Sequence, residues 1–181
     1  MHSKKDKSIE ILKSEEKLYV YKVKLVKIIM ISNITKYPTT FSMNIRKQTT
    51  SDIERLERIF LITRQTTFED RKDKFKIGDF MESTVGDDVW VCEIDGFIVG
   101  FISLYLQDNF IHNLFVEPQY QGYGVGSKLL LFAEDKLLRP MTLKVAMDNL
   151  KVCTFYEKYG WYNAGEFNKA PVPYILYRKD D

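Results

Sequence analysis

Cysteine is scarce in this 181-residue chain: Cys92 and Cys153 are the only two, and their separation fits no metal-ligand or redox spacing. Two free thiols suit a reducing compartment, so a cytoplasmic location and no metal site are expected. Long apolar runs are missing as well. No stretch reaches the roughly 18 apolar residues that a membrane-spanning helix needs, so no membrane partner is expected. The most apolar N-terminal stretch, "KLYVYKVKLVKIIMIS", is interrupted by Lys22, Lys24 and Lys27, and no small-residue cleavage site follows it, which makes it a poor signal peptide. Internal repeats and low-complexity linkers are absent, which excludes solenoids and tandem arrays. Positive charge is thin where nucleic acid would need it. Residues 1–42 carry nine lysines against four acids, a net of +5; the whole chain carries +2, so residues 43–181 hold −3 and no basic cluster. No nucleic-acid partner is expected.

What is present divides at Met43. Before it lie a basic tip, "MHSKKDKS", a short helical stretch over 9–17, a β-rich run over 18–31 and a loop, "TKYPTTFS". This N-terminal extension of residues 1–42, partly disordered or one strand, carries no motif. It reads either as an appended segment or as the product of an upstream start, with Met43 as the native one; the mass of the native protein decides between them.

From Met43 the pattern is that of one domain, residues 43–181. "MNIRK" predicts a strand. "TTSDIERLERIFLITRQT" predicts an amphipathic helix, with Ile53, Leu56, Ile59, Phe60 and Ile62 at helical spacing and Thr50 or Ser51 as cap. A second helix is expected within 71–83. Two β-rich runs flank Asp95-Gly96, a hairpin turn pair. "NFIHNLFV" is a further strand. "GSKLLLFAEDKLL" is a helix, "MTLKVAM" a strand, and "NLKVCTFYEKYG" a helix that Gly160 closes. "WYNAGEFN" and "VPYILYRK" are the last strands. The order β-α-α-β-β-β-α-β-α-β-β indicates an α+β fold, a mixed sheet with helices packed on it.

"QYQGYGVGSKLL" places Gly122, Gly124 and Gly126 at alternate positions just ahead of a helix. Such a loop offers bare main-chain N–H groups, helped by the helix dipole, to something negative such as a pyrophosphate. Two familiar phosphate loops do not fit. The dinucleotide fingerprint G-x-G-x-x-G would need glycine where Ser127 stands, and the P-loop would need glycine, lysine and then a hydroxyl residue, whereas the order here is Gly126, Ser127, Lys128.

Two motifs together resemble the GNAT-type acyl-CoA N-acyltransferases over residues 43–181. "HNLFVEPQYQGYGVGSKLL" is similar to that family's strand, Q/R-x-x-G-x-G/A loop and helix; "NLKVCTFYEKYGW" is similar to its N-x-x-A-x-x-F-Y-x-x-x-G-F helix. Cys153 stands where the family usually has alanine and Trp161 where it usually has phenylalanine, both changes of size at packing positions. The resemblance implies a central, mostly antiparallel, splayed sheet flanked by helices. It implies acetyl-CoA as co-substrate, with the pantetheine arm along Leu114, Phe115 and Val116 as an added strand. The pyrophosphate would sit on the amides of Gln121, Gly122, Tyr123, Gly124, Val125, Gly126 and Ser127, and Asn149 would touch the cofactor from the opposite helix. The Leu114 N–H would polarise the thioester carbonyl. Tyr156 would protonate the leaving thiolate.

The base stays open among His112, Glu93 and water. His112 is the only histidine after the tail, and an imidazole suits a proton relay. Phe68, Glu69, Asp70, Tyr162 and Tyr174 are candidates to line the acceptor site. The expected activity is transfer of an acetyl group to a primary amine of a small molecule or peptide by direct attack. A CoA-binding sensor with little turnover and a protein N-terminal or lysine acetyltransferase are the alternatives, and a homodimer stays open.

Overall fold

A computed structural model of the protein describes residues 42–181; the helix and strand expected over 9–17 and 18–31 lie outside the described residues. Eleven elements follow one another: β1 (Met43–Lys47), α1 (Ile53–Thr67), α2 (Asp79–Ser83), β2 (Asp88–Ile94), β3 (Phe97–Tyr105), β4 (Phe110–Val116), α3 (Val125–Lys136), β5 (Met141–Ala146), α4 (Leu150–Lys158), β6 (Tyr162–Phe167) and β7 (Tyr174–Lys179). The strands form one sheet in the order β1-β2-β3-β4-β5-β7-β6. Every neighbouring pair is antiparallel except β4 with β5. The expected element order and mixed sheet are both found.

Local chemistry explains most boundaries. Asp95 and Gly96 turn the β2–β3 hairpin with φ of +50° and +81°, the left-handed pair that a two-residue turn requires. Gly160, at φ +81°, ends α4. One helical expectation needs correction. α1 is preceded by a tight turn over Thr50–Asp52, whose own N-cap is Thr49, with N–H and Oγ1 donating to Asp52 Oδ2 at 2.7 and 2.9 Å. The N-cap of α1 is Asp52, the last residue of that turn, and neither Thr50 nor Ser51. The second helix expected within 71–83 is found as α2, over the last five of those residues. Glu69–Lys74 forms tight turns with a non-helical Arg71, and Gly78 at φ +103° separates them from the five-residue α2. Glu57 of α1 holds the start of α2, accepting from the amides of Gly78 (2.9 Å), Phe80 and Met81.

The alternation of side chains sorts the helices onto two faces. On one, Leu56, Ile59 and Phe60 of α1 and Phe80 of α2 pack against Val89, Val91 and Phe101, with Phe115 alongside. On the other, Trp90 meets Phe132 of α3, and Tyr177 of β7 donates to Glu157 of α4 at 2.8 Å. α1 and α2 thus cover one face over β2, β3 and β4, while α3 and α4 cover the other.

β4 and β5 pair only at Phe110 with Thr142 and Ile111 with Leu143. Beyond that the two strands separate. The cause lies one residue on. Ser103 pairs with Asn113 and Leu104 with Ile111, so His112 is an extra residue, a β-bulge, on β4. A bulge reverses the direction in which every later residue of the strand points. Ile111 pairs towards β5, but Asn113 turns its side chain to Ser103 Oγ (2.9 Å) and the Ser83 carbonyl, on the α1/α2 face.

Candidate active site

The opening between β4 and β5 is lined by main chain. Glu117 N–H donates to the Val99 carbonyl at 2.9 Å, which with the register fixes Phe115 and Asn113 as the residues whose amides and carbonyls meet β3. The N–H and C=O of Leu114 and the N–H of Val116 therefore face the opening. Phe115 is turned the other way. Its main chain serves β3 and its ring packs on Phe60 and Phe101. The Val116 carbonyl is also occupied, accepting from Gln121 Nε2 at 3.1 Å and Thr63 Oγ1 at 3.4 Å.

The glycine loop begins where this edge ends. Gly122 and Gly124 have φ of +86° and +85°, and a Cβ added to either meets nothing within 4 Å. Their backbone conformation requires glycine, and the space above them is open. Gly126 has no such conformation. A Cβ there would rest in ordinary contact with Phe155, Leu114 and Val116, so its place is at the junction of α3, β4 and α4. The first bond of α3 runs from Lys128 N–H to the Gly124 carbonyl at 2.9 Å. The amides of Val125, Gly126 and Ser127 ahead of it have no acceptor within the helix, and Gly124 brings no capping side chain. Gln121 ties the loop to β4 and, through Lys151 Nζ at 3.4 Å, to α4. Tyr123 is half-buried within the loop, and Asn149 stands half-buried at the N-cap of α4, beside the open ends of β5 and β4.

Tyr156 of α4 is buried among the rings of Phe155, Trp161 and Tyr177. Burial pushes its phenol well above the usual tyrosine range, so it carries its proton at any physiological pH. It lies on the α3/α4 face.

His112 lies on the opposite face. There the rings of Tyr105, His112 and Phe110 touch in series, Lys144 Nζ bridges Phe110 and Tyr174, and Phe167 stacks on Tyr174 at 4.7 Å. This aromatic strip crosses β4, β5, β7 and β6 on the face where α1 and α2 cover the other half. Of the candidate acceptor residues, Tyr174 belongs to it. Tyr162 pairs beside Arg178 at the other end of β7 and donates to Asp180 at 2.6 Å, while Glu69 and Asp70 are exposed to solvent. Phe68 lies under the Arg71 guanidinium, and Arg71 reaches Asp148 in the turn before α4 at 2.7 Å.

The histidine and the phenol are thus separated by the sheet, one on each side of its opening. Glu93 is at neither. Its Oε1 is held by Arg46 at 2.7 Å, five strand positions beyond Asp88 and near the β2–β3 turn.

The model of the acetyltransferase (GNAT) family matches residues 53–161. The chain belongs to the GNAT family. An uncharacterized N-acetyltransferase of Archaeoglobus fulgidus is 30% identical over 134 residues, 63% of this chain and 89% of that one. Among solved structures, a GCN5-related N-acetyltransferase from Rhodopseudomonas palustris superposes with a TM-score of 0.65 at 19% identity, over 80% of this chain and 100% of that one. The PaiA N-acetyltransferase of Thermoplasma acidophilum, solved in complex with coenzyme A, does so at 0.62 and 21% identity, over 77% and 99%. This GNAT protein is therefore an acyltransferase.

Two features of the GNAT site were not visible in the sequence. The bulge at His112 left only a faint trace, two consecutive polar residues, His112 and Asn113, inside an apolar strand. The other is Asp87, whose carboxylate meets His112; nothing in the sequence links it to a histidine 25 positions on.

Proposed function

We propose that this GNAT protein transfers the acetyl group of acetyl-CoA to a primary amine of a small molecule or peptide by direct attack. The observation that carries the proposal is the unpaired edge of β4 leading straight into the uncapped start of α3. The C=O of Leu114 and the N–H of Val116 suit a pantetheine arm lying as an added strand, which leaves the Leu114 N–H for the thioester carbonyl. The amides from Gly122 to Ser127 fit a pyrophosphate, because the loop is open above Gly122 and Gly124 and the helix dipole adds positive potential.

The chemistry follows from the two faces. On the aromatic side an ammonium acceptor gives one proton to His112, directly or through water, and becomes a nucleophile. Its nitrogen attacks the thioester carbon, forming the C–N bond, while the Leu114 N–H stabilises the charge on the carbonyl oxygen. The C–S bond then breaks. Tyr156 gives its proton to the departing sulfur, and the surplus proton on nitrogen restores the phenol. A high phenol pKa is no obstacle here, since the same apolar surroundings disfavour the thiolate as well.

Calorimetry of acetyl-CoA binding to wild type and Gly124→Glu tests the site. The glutamate puts bulk and negative charge where the phosphates belong. Micromolar binding by the wild type, lost in the variant, is expected; folded protein that binds in neither case removes the proposal. Release of the CoA thiol is then followed with 2-phenylethylamine, spermidine, glycinamide and a short peptide with a free N-terminus. Binding without any release would favour a CoA-responsive module over an enzyme.

A further inference from the structure

We infer that Asp87 is a positioning residue for His112, fixing which imidazole nitrogen serves as the base; this rests on the reading of His112 as that base. His112 Nδ1 lies 2.7 Å from Asp87 Oδ1 and 2.9 Å from Oδ2, so one ring nitrogen is shared by both carboxylate oxygens. The Asp87 side chain has no solvent exposure, whereas that of His112 is 40% exposed. A carboxylate hidden from water keeps its charge only with a hydrogen-bond donor beside it. Nδ1 must therefore carry a proton, and the lone pair of a neutral ring is left on Nε2.

Three elements converge to make this arrangement. The bulge makes His112 an extra residue on β4, so its side chain leaves the pleat on the α1/α2 face. The turn ending at Asp87, with its N–H bonded to the Thr84 carbonyl at 3.1 Å, sets the carboxylate below the ring. The rings of Tyr105 and Phe110, with centroids 5.7 and 4.8 Å from the imidazole, limit its rotation. The titratable groups facing His112 are Asp87 from the segment before β2, Tyr105 from β3 and, across the Phe110 ring, Lys144 from β5. Asp88, next in sequence, is turned away and paired with Lys47. Asp87 is thus the only carboxylate in contact with the imidazole among the described residues. It orients the ring towards the aromatic strip and stabilises the imidazolium formed when a proton arrives, in the manner of the buried aspartate in hydrolase triads.

Nitrogen-15 NMR of the imidazoles reads this directly, because His2 and His112 are the only two in the chain and His112→Gln identifies the signal. At a pH where the ring is neutral, wild-type His112 is expected as the Nδ1–H tautomer. A predominantly Nε2–H ring overturns the inference without any variant. In Asp87→Asn, kcat/KM for the fastest amine of the panel should fall roughly 10–100-fold. Acetyl-CoA binding should be unchanged, and His112→Gln with Asp87→Asn should be no slower than His112→Gln alone.

If His112→Gln is slow while Asp87→Asn keeps the wild-type rate, the inference is wrong and the base stands. If His112→Gln itself keeps full activity, the base assignment fails and takes the inference with it.

Discussion

A methyl group on Gly100 would lie 2.7 Å from the Phe115 carbonyl oxygen and 3.3 Å from the Val116 Cα, both backbone atoms of the neighbouring strand. Neither can rotate away. Gly100→Ala is therefore expected to cost about 1–3 kcal/mol, read as a lower urea midpoint, because β3 and β4 must part to admit it. Gly126→Ala is its contrast. That Cβ would find ordinary contacts in the first turn of a helix, and the variant should be up to about 1 kcal/mol more stable. In sequence the emphasis falls on Gly126, as one of three alternating glycines, and nothing marks Gly100. The space around a residue is set by whichever strand lies beside it, and a linear pattern carries no information about that neighbour.

At the scale of elements, α3 and its loop were legible because their chemistry is local. Left-handed glycines, an apolar stripe and a helix start lie within twelve consecutive residues. The same locality yields a prediction. Ser127 is the third residue of α3, where a carboxylate favours the helix dipole. Ser127→Asp should keep or slightly raise the melting temperature and weaken acetyl-CoA at least about tenfold by calorimetry, since its charge occupies the potential meant for phosphate. A folded variant with unchanged affinity would place the pyrophosphate elsewhere. The β4 bulge was not legible, because alternation predicts a regular strand and only pairing with β3 reveals the extra residue. Nor was the point within 71–83 at which α2 starts, where Glu57 of α1 accepts from the amides of Gly78 and Phe80.

Over the whole molecule, one charged cluster joins the start of the sheet to α1. Arg46 of β1 contacts Asp52 at 2.7 Å and Glu93 of β2 at 2.7 Å. The Arg46 hydrogen bond, opposed by burial and aided by Thr49, holds the Asp52 carboxyl down to about 2 from an ordinary 3.8. A depressed carboxylate contributes its stability above the unfolded value and loses it on acidification. The cluster is thus fully effective above about pH 4 and fades between pH 4 and 2, a change of roughly 2 kcal/mol. Asp52→Asn should be less stable at pH 7 and show a shallower loss over that interval in urea titrations. An equal acid response in both proteins would remove Asp52 as its source.

By itself the sequence determined the element order, the glycine loop ahead of α3 and the resemblance to the GNAT family, whose model matches residues 53–161, since each rests on spacing between neighbours along the chain. Tertiary structure alone decided that Glu93 is neutralised by Arg46, that Phe115 serves the core, that His112 and Tyr156 stand on opposite sides of an opened sheet, and that Asp87 meets His112. Those outcomes depend on which face each residue takes. One extra residue at His112 reverses the faces of all that follow in β4, and hydrophobic periodicity does not register a single-residue shift within a strand of seven.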